Sequence, residues 1–381
     1  MPKRYVIVGA GPAGVAAAAV LRERDGTASI LLAGAEKTPF YSRIRLPEFM
    51  AGSIPRKALV LHDADWFRSR GIDLHLGVRV AGLDVKTAKV AFEDGSSYPY
   101  DACLLAVGAR ANVPPFPGRD LRGVVAVRTV EDVEALRALS EGARRVVAIG
   151  GGLLGLEMAA ALSSRGVEVV VVETCAWLLN RQLDPEGGAL VRRMLEAKGL
   201  SFRLGAKVEA IEGKDRVAGV RLAGGEILET PAVLVSAGIA PEVSLAKAAG
   251  LEVNRGILID DRAAASAPNV YAAGDCAEHK GTVAGIWPVA DAQGRVAGDA
   301  MAGGSSTYAG LVPNHSLKVS GIDVFSAGQI DAEGKLPCEV ERGEGTYRKI
   351  VRDPSGRAAG AVLVGDLRDR GNILKEIQKG K

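Results

Sequence analysis

Short apolar runs closed by glycine recur along this chain, and two of them lead directly into stretches of helical character. Residues 5–8 form the first run, and their unbroken hydrophobicity is that of a strand buried on both faces of a parallel sheet. A glycine turn separates them from the alanine-rich residues 15–21, which have strong helix propensity. Residues 29–33 predict the next strand. The same order returns later, with a strand over 145–149, a helix over 153–163 and a nearly pure valine strand over 167–172. Residues 100–109 read as a strand ending in a small-residue turn, 114–118 as a stiff linker, and 271–275 as a third strand-to-glycine turn. Helices are predicted over 189–198 and 290–301. Near the C-terminus, 347–351 and 358–364 predict a hairpin around Asp353-Pro354-Ser355-Gly356, and 372–378 a short helix that ends before Gly380. Strands alternating with helices in this way predict an α/β fold.

The glycine turns of the two repeated units carry one fingerprint. Gly9-x-Gly11-x-x-Gly14 recurs as Gly150-x-Gly152-x-x-Gly155, 141 residues later (150 − 9 = 141). In each copy the first glycine allows the tight turn, the second lets backbone approach a pyrophosphate, and the third lets helix pack close to sheet. The pyrophosphate then lies on the helix N-terminus, where free N–H groups and the helix dipole favour anions. An acidic residue is expected near the end of the following strand, to bind ribose hydroxyls. In the second copy this is Glu173, which accepts from a ribose 2′-OH and repels a 2′-phosphate, favouring NADH over NADPH. In the first copy the nearest acid is Glu36, two residues beyond Gly34, which can occupy the usual contact position. The doubled fingerprint predicts two Rossmann-like domains and two dinucleotides bound at once.

Bulk properties narrow the class. A length of 381 residues implies two or three domains. The net charge of +3 is too small to argue for nucleic acid, and no apolar run is long enough to span a bilayer. The apolar part of the N-terminus is the first strand rather than a signal peptide, so a cytoplasmic location is expected. Cys103, Cys175, Cys276 and Cys338 form no CxxC or CxxxxC, and Cys103 reads as a buried core thiol. The four histidines are scattered, so no metal site is expected.

Together with the first fingerprint, the segments Tyr100-Asp101-Ala102-Cys103-Leu104-Leu105-Ala106-Val107-Gly108 and Tyr271-Ala272-Ala273-Gly274-Asp275 resemble those of the flavoprotein pyridine-nucleotide oxidoreductases. Pro39-Phe40-Tyr41-Ser42-Arg43, Arg181-Gln182-Leu183-Asp184 and the run LKVSGIDVFSAG from Leu317 to Gly328 are similar to rubredoxin reductases and to the flavoprotein part of assimilatory nitrite reductases. The resemblance implies FAD at the first fingerprint and NADH at the second. It implies FAD contacts from Gly9, Gly11, Pro12, Ala13, Gly14, Glu36, Arg43, Val80, Gly108, Gly274, Asp275, Trp287 and Lys318. It implies NAD contacts from Gly150, Gly152, Leu154, Gly155, Glu157, Glu173 and Gly238. Glu157 and Lys318 are the catalytic candidates. Glu157 matches a carboxylate near flavin and nicotinamide, and Lys318 a lysine that stabilises the reduced flavin. Each has a plainer alternative: Glu157 as a first-turn acid favoured by the helix dipole, Arg43 as a solvated surface arginine, and Trp287 as a core tryptophan.

The family also implies domain limits. A discontinuous FAD domain is expected over 1–112 and 240–308, an NADH domain over 113–239, and a small α+β C-terminal domain over 309–381. The redox cysteines of disulfide reductases, NADH oxidases and coenzyme A disulfide reductases have no counterpart, since a serine at Ser42 cannot form a stable sulfenic acid or mixed disulfide. The clustered cysteines that a nitrite reductase needs for iron–sulfur and siroheme groups are likewise missing from this sequence. Electrons are therefore expected to pass from NADH through flavin to rubredoxin or a similar small acidic one-electron carrier, met by a basic rim drawn from Arg43, Arg45, Arg56 and Lys57. An NADH oxidase or diaphorase reducing oxygen directly, and a non-catalytic FAD-binding redox-sensing subunit, are the alternatives. A monomer or a homodimer is equally compatible.

Overall fold

The computed structural model describes residues 1–312, 314–319 and 321–379. Ser320 of the LKVSGIDVFSAG run and Gly380 lie outside the described residues.

The chain divides into two compact units, each treated by itself. The first comprises Met1–Ser42, Arg56–Arg110 and Ile239–Leu311. Its centre is a five-stranded sheet in the order Val270–Ala272, Ala102–Leu105, Arg4–Val8, Ser29–Gly34, Ile72–Leu76, parallel throughout. Tyr5, Ile7, Leu32, Cys103, Leu104 and Leu105 are almost wholly buried, as unbroken apolar runs require in a sheet covered on both faces. Cys103 is the expected core thiol, and burial pushes it up to about 12. The helix Pro12–Arg24 starts with Pro12 in its first turn, where the missing N–H removes no hydrogen bond. It packs along the helix Trp287–Met301, which starts three residues before the predicted 290–301 because Pro288 is tolerated in a first turn.

The second unit comprises Arg43–Pro55, Ala111–Gly238 and Val312–Lys381. It repeats the parallel plan in the order Leu200–Leu204, Glu168–Glu173, Arg145–Ile149, Val233–Val235, Val124–Ala126. A three-stranded antiparallel sheet accompanies the parallel sheet in each unit, Val80–Asp84, Lys89–Phe92 and Ser97–Pro99 in the first and Val208–Gly213, Val217–Leu222 and Ile227–Glu229 in the second. The C-terminal portion is a five-stranded antiparallel sheet in the order Asn314–Val319, Ile322–Gly328, Ala358–Val364, Thr346–Arg352, Cys338–Gly343, with the helix Arg370–Lys379 closing over Phe325, Ala361 and Leu363 through Ile373 and Ile377.

Two placements differ from the sequence-based expectation. The segment Arg43–Pro55, expected with the FAD domain, packs with the second unit. Its helix Leu46–Ala51 lies on the helices Val130–Ser140 and Leu153–Ser163, and the Arg137 guanidinium stands over the Phe49 ring. The helix expected from residue 189 instead runs Pro185–Glu196. Asp184 caps it by accepting from the Gly187 N–H at 3.0 Å, which offsets the low helix propensity of Gly187 and Gly188.

Candidate functional site

The two fingerprints fold into cradles of the same construction. In the first unit Gly9 adopts φ +117°, and a Cβ there would meet the Ala106 carbonyl oxygen at 2.1 Å. A Cβ at Gly14 would meet the Gly9 oxygen at 1.9 Å, so the helix sits as close to the turn as backbone allows. Gly11 is the opposite case. It is the N-cap of the helix Pro12–Arg24, no side chain caps it, and nothing stands within 4 Å of the space a Cβ would take. In the second unit Gly150 adopts φ +113° with Ser236 O at 2.2 Å from a would-be Cβ, and Gly155 meets Gly150 O at 2.4 Å. Gly152 is again an uncapped N-cap with open space before it. Helix N-terminal N–H groups left without a side-chain acceptor, behind glycines that hold the backbone bare, fit a pyrophosphate. The donor set thus suits one dinucleotide in each unit.

Further residues brace each cradle. Ala13 is buried beneath Gly274, whose Cβ position lies 3.2 Å from the Ala13 methyl. The Gly274 N–H donates to Gln293 Oε1 at 2.9 Å, and Gln293 is 2 % exposed. The sequence reading passed over Gln293. Its only signal is an amide on the face shared by Ala290, Gly294 and Ala297, at spacings of three, four and seven. Gly108 stands at φ +72°, Asp275 is half-buried, and Val80 opens its antiparallel strand. Glu36 lies beyond the strand Ser29–Gly34 and accepts from the Tyr41 hydroxyl at 2.6 Å. Trp287 is half-buried at the start of its helix, with its ring 5.4 Å from that of Phe40. It packs against the hydrophobic core of the first unit.

In the second unit Glu173 ends its strand as expected, but its carboxylate already works within the chain. Oε2 accepts from the Gly151 N–H at 2.7 Å, and Oε1 from the Cys175 N–H at 2.8 Å and the Thr174 hydroxyl at 3.0 Å. Leu154 is half-buried in the first turn of the helix Leu153–Ser163. Gly238 (φ +90°) has open space before it, and its carbonyl accepts from the Asn112 N–H at 3.0 Å. The Asn112 side-chain amide donates to the neighbouring Ala237 carbonyl at 3.1 Å.

Glu157 corrects one expectation. It stands fifth in the helix Leu153–Ser163, which has no acid in its first turn, so the dipole at the helix start does not explain it. Burial pushes its carboxyl up to about 7. The helix carrying it lies against the strand Asn314–Val319, on which Lys318 is exposed. A carboxyl whose folded pKa stands above its ordinary 4.5 holds a proton that the unfolded chain has released, so its contribution to stability is lost as pH rises from 4.5 through about 7. Glu157→Gln removes that loss. Its melting temperature is expected to exceed that of the unmodified protein above pH 7, by the equivalent of about 3 kcal/mol, with the gap closing towards pH 4.5. A pH-independent difference between the two melting curves would contradict this.

Three of the four basic-rim candidates have partners within the chain. Arg43 donates to the Arg128 carbonyl at 2.5 Å, Arg45 forks onto Glu48 and Arg56 donates to the Thr38 hydroxyl at 3.0 Å. Ser42 is buried, and its N–H donates to the Leu59 carbonyl at 2.9 Å. Among the described residues no group of three or more His, Cys, Asp or Glu could hold a metal ion, and no helix is long and apolar enough to cross a membrane.

Comparison with known proteins gives this geometry a context. The profile of the pyridine nucleotide-disulphide oxidoreductases matches residues 3–294, and that of the rubredoxin NAD+ reductase C-terminal domain matches residues 313–381. A nitrite reductase [NAD(P)H] of Bacillus subtilis is 36% identical over 99% of this chain and 47% of its own length, so the chain spans about half of that relative. The ferredoxin–NAD(+) reductase component of an anthranilate 1,2-dioxygenase system from Burkholderia cepacia is 35% identical, over 99% of this chain and 94% of its own. The crystal structure of NADH:rubredoxin oxidoreductase from Clostridium acetobutylicum superposes with a TM-score of 0.85 at 25% identity, covering 100% of this chain and 96% of that one.

Proposed function

The chain belongs to the pyridine nucleotide-disulphide oxidoreductase family, which uses FAD and NAD(H), and from that premise we propose that it passes electrons from NADH through FAD to rubredoxin or a similar small iron–sulfur carrier. The observation that carries the reading is the pair of open, uncapped helix N-termini at Gly11 and Gly152, each behind glycines that admit no side chain. In it, Gly9–Gly14, Gly274, Asp275 and Trp287 hold the flavin nucleotide, and Gly150–Gly155 with Glu173 hold the nicotinamide nucleotide. When bound, the flavin supplies a two-electron acceptor that can release electrons singly. The chain's part is to orient and to tune. Glu157, poised near neutrality, offers a hydrogen bond at the nicotinamide end, and the Lys318 ammonium compensates negative charge on the flavin. With serine at position 42, no thiol there relays electrons to the acceptor.

The test is stopped-flow reduction of the purified protein by NADH and by NADPH, followed by turnover with rubredoxin, with a ferredoxin and with oxygen alone. A yellow protein bleached preferentially by NADH and reoxidised faster by a carrier than by oxygen is the expected result. A colourless protein, or one for which oxygen is the faster acceptor, would refute the reading.

A further inference from the structure

The fingerprint of the second unit is held from behind. Between the strand Arg145–Ile149 and the helix, the two peptides that meet at Gly151 are both pinned: its N–H goes to Glu173, and its carbonyl, in the peptide shared with Gly152, accepts from the Leu179 N–H at 3.0 Å. A trans peptide is planar, with its C=O and the following N–H pointing in opposite directions. Fixing the Gly151 carbonyl on Leu179 therefore aims the Gly152 N–H the other way, into the open space at the helix N-terminus.

Leu179 achieves this in a strained conformation. It is 1 % exposed at φ +56°, a left-handed state that a branched side chain rarely adopts and that persists only where its surroundings impose it. Gln182 and Leu183 both donate to the Leu179 carbonyl at 2.7 Å, and the Trp177 indole donates to the Leu183 carbonyl at 2.9 Å. The next residue, Asp184, anchors this loop. It is 5 % exposed, and besides capping its helix its Oδ2 accepts from the Tyr347 hydroxyl at 2.7 Å and from Lys349 Nζ at 3.2 Å. Lys349 is itself 4 % exposed and also donates to the Asp331 carbonyl at 2.8 Å. Tyr347 and Lys349 belong to the strand Thr346–Arg352 of the C-terminal sheet. The chain of contacts is continuous: C-terminal sheet, Asp184, the loop at 177–183, the Gly151 carbonyl, the Gly152 N–H.

We propose that Tyr347, Lys349 and Asp184 are positioning residues for the nicotinamide nucleotide, through which the C-terminal sheet holds the Gly151–Gly152 peptide in its pyrophosphate-binding orientation. This rests on the reading that the Gly150–Gly155 cradle takes NADH. A second, exposed tie between the same elements, Arg342 to Glu186 at 2.5 Å, does not reach the loop and serves as the control.

Calorimetric titration of the FAD-loaded protein with NAD+, together with the limiting rate of flavin reduction at saturating NADH, tests the proposal. Tyr347→Phe keeps the ring and removes the hydroxyl, and Lys349→Met removes the buried ammonium. Each should raise the NAD+ Kd about fivefold to tenfold, the lower range for coupling through contiguous packed groups, with the limiting rate and FAD content unchanged. Arg342→Ala should leave Kd within about twofold of the unmodified protein. If Lys349→Met fails to fold, Tyr347→Phe still decides the matter. Lowered melting temperatures with an unchanged Kd, or a Kd raised equally by Arg342→Ala, would overturn the positioning role. An unmodified protein that binds no nicotinamide nucleotide would overturn the underlying functional reading as well.

Discussion

Gly155→Val is expected to give a protein that remains yellow but is bleached by NADH about a hundredfold more slowly than the unmodified chain. A Cβ at Gly155 would stand 2.4 Å from the Gly150 oxygen and 3.2 Å from the Ser236 Cβ. The nearest obstacle is backbone, which cannot rotate away as a side chain can. The helix Leu153–Ser163 must therefore retreat from the turn, carrying its uncapped N-terminus and Glu157 with it. A displacement of about 1 Å suffices for a loss of this size when reacting atoms must be held at near-attack distance. The atoms nearest that Cβ, Gly150 O and the Ser236 side chain, all lie in the second unit, so FAD content is expected to be retained. Stopped-flow reduction with the flavin content measured in parallel checks the result. Reduction at the unmodified rate, or loss of FAD along with activity, would show that the second fingerprint does not serve the nicotinamide nucleotide alone.

Gly294→Val is expected to give a colourless or severely destabilised protein. Gly294 lies where the helix Trp287–Met301 crosses Pro12–Arg24, and a Cβ there would meet the Ala13 carbonyl oxygen at 2.2 Å and the Ala13 Cα at 2.8 Å. One turn on, Gly298 meets Ala17 O at 2.6 Å, so the two helices approach backbone to backbone along a seam of glycine and alanine. Forcing a valine into the seam costs at least about 3 kcal/mol, at the upper end of core overpacking, because the obstacle is again main chain. The separation that relieves it also withdraws Gln293 from Gly274 and Ala13 from the first fingerprint. FAD content per chain and the melting temperature are the measurements, and unmodified values of both would show that the helix seam is not what holds the FAD cradle.

Much of this construction is legible in the order of residues, for reasons that are local. An apolar run of four or five residues, a glycine turn and an alanine- or leucine-rich stretch specify strand, turn and helix within one stretch of chain. Glu173 ends its strand as its interval from the fingerprint predicts. The misplacements involve partners far along the chain. The helix expected from residue 189 starts at Pro185 and includes Gly187 and Gly188, residues of low helix propensity. Gly188 is required there, since a Cβ would strike the Trp177 ring at 2.7 Å and the Leu178 carbonyl oxygen at 2.9 Å, while Gly187 packs beside Tyr347, 160 residues further on (347 − 187 = 160). The segment that carries Arg43, expected with the FAD domain, packs on helices of the second unit, where the Arg43 guanidinium meets the Arg128 carbonyl.

The sequence by itself determined the two glycine fingerprints and the uncapped helix starts behind them, because strand, turn and helix N-terminus are specified within one short stretch of chain. Tertiary structure decided how those cradles are held. Gln293 beneath Gly274, Leu179 behind Gly151, and Lys349 with Tyr347 on Asp184 name no partner in the sequence, since each is a single buried polar or strained group satisfied by a partner that only the fold brings within hydrogen-bond reach.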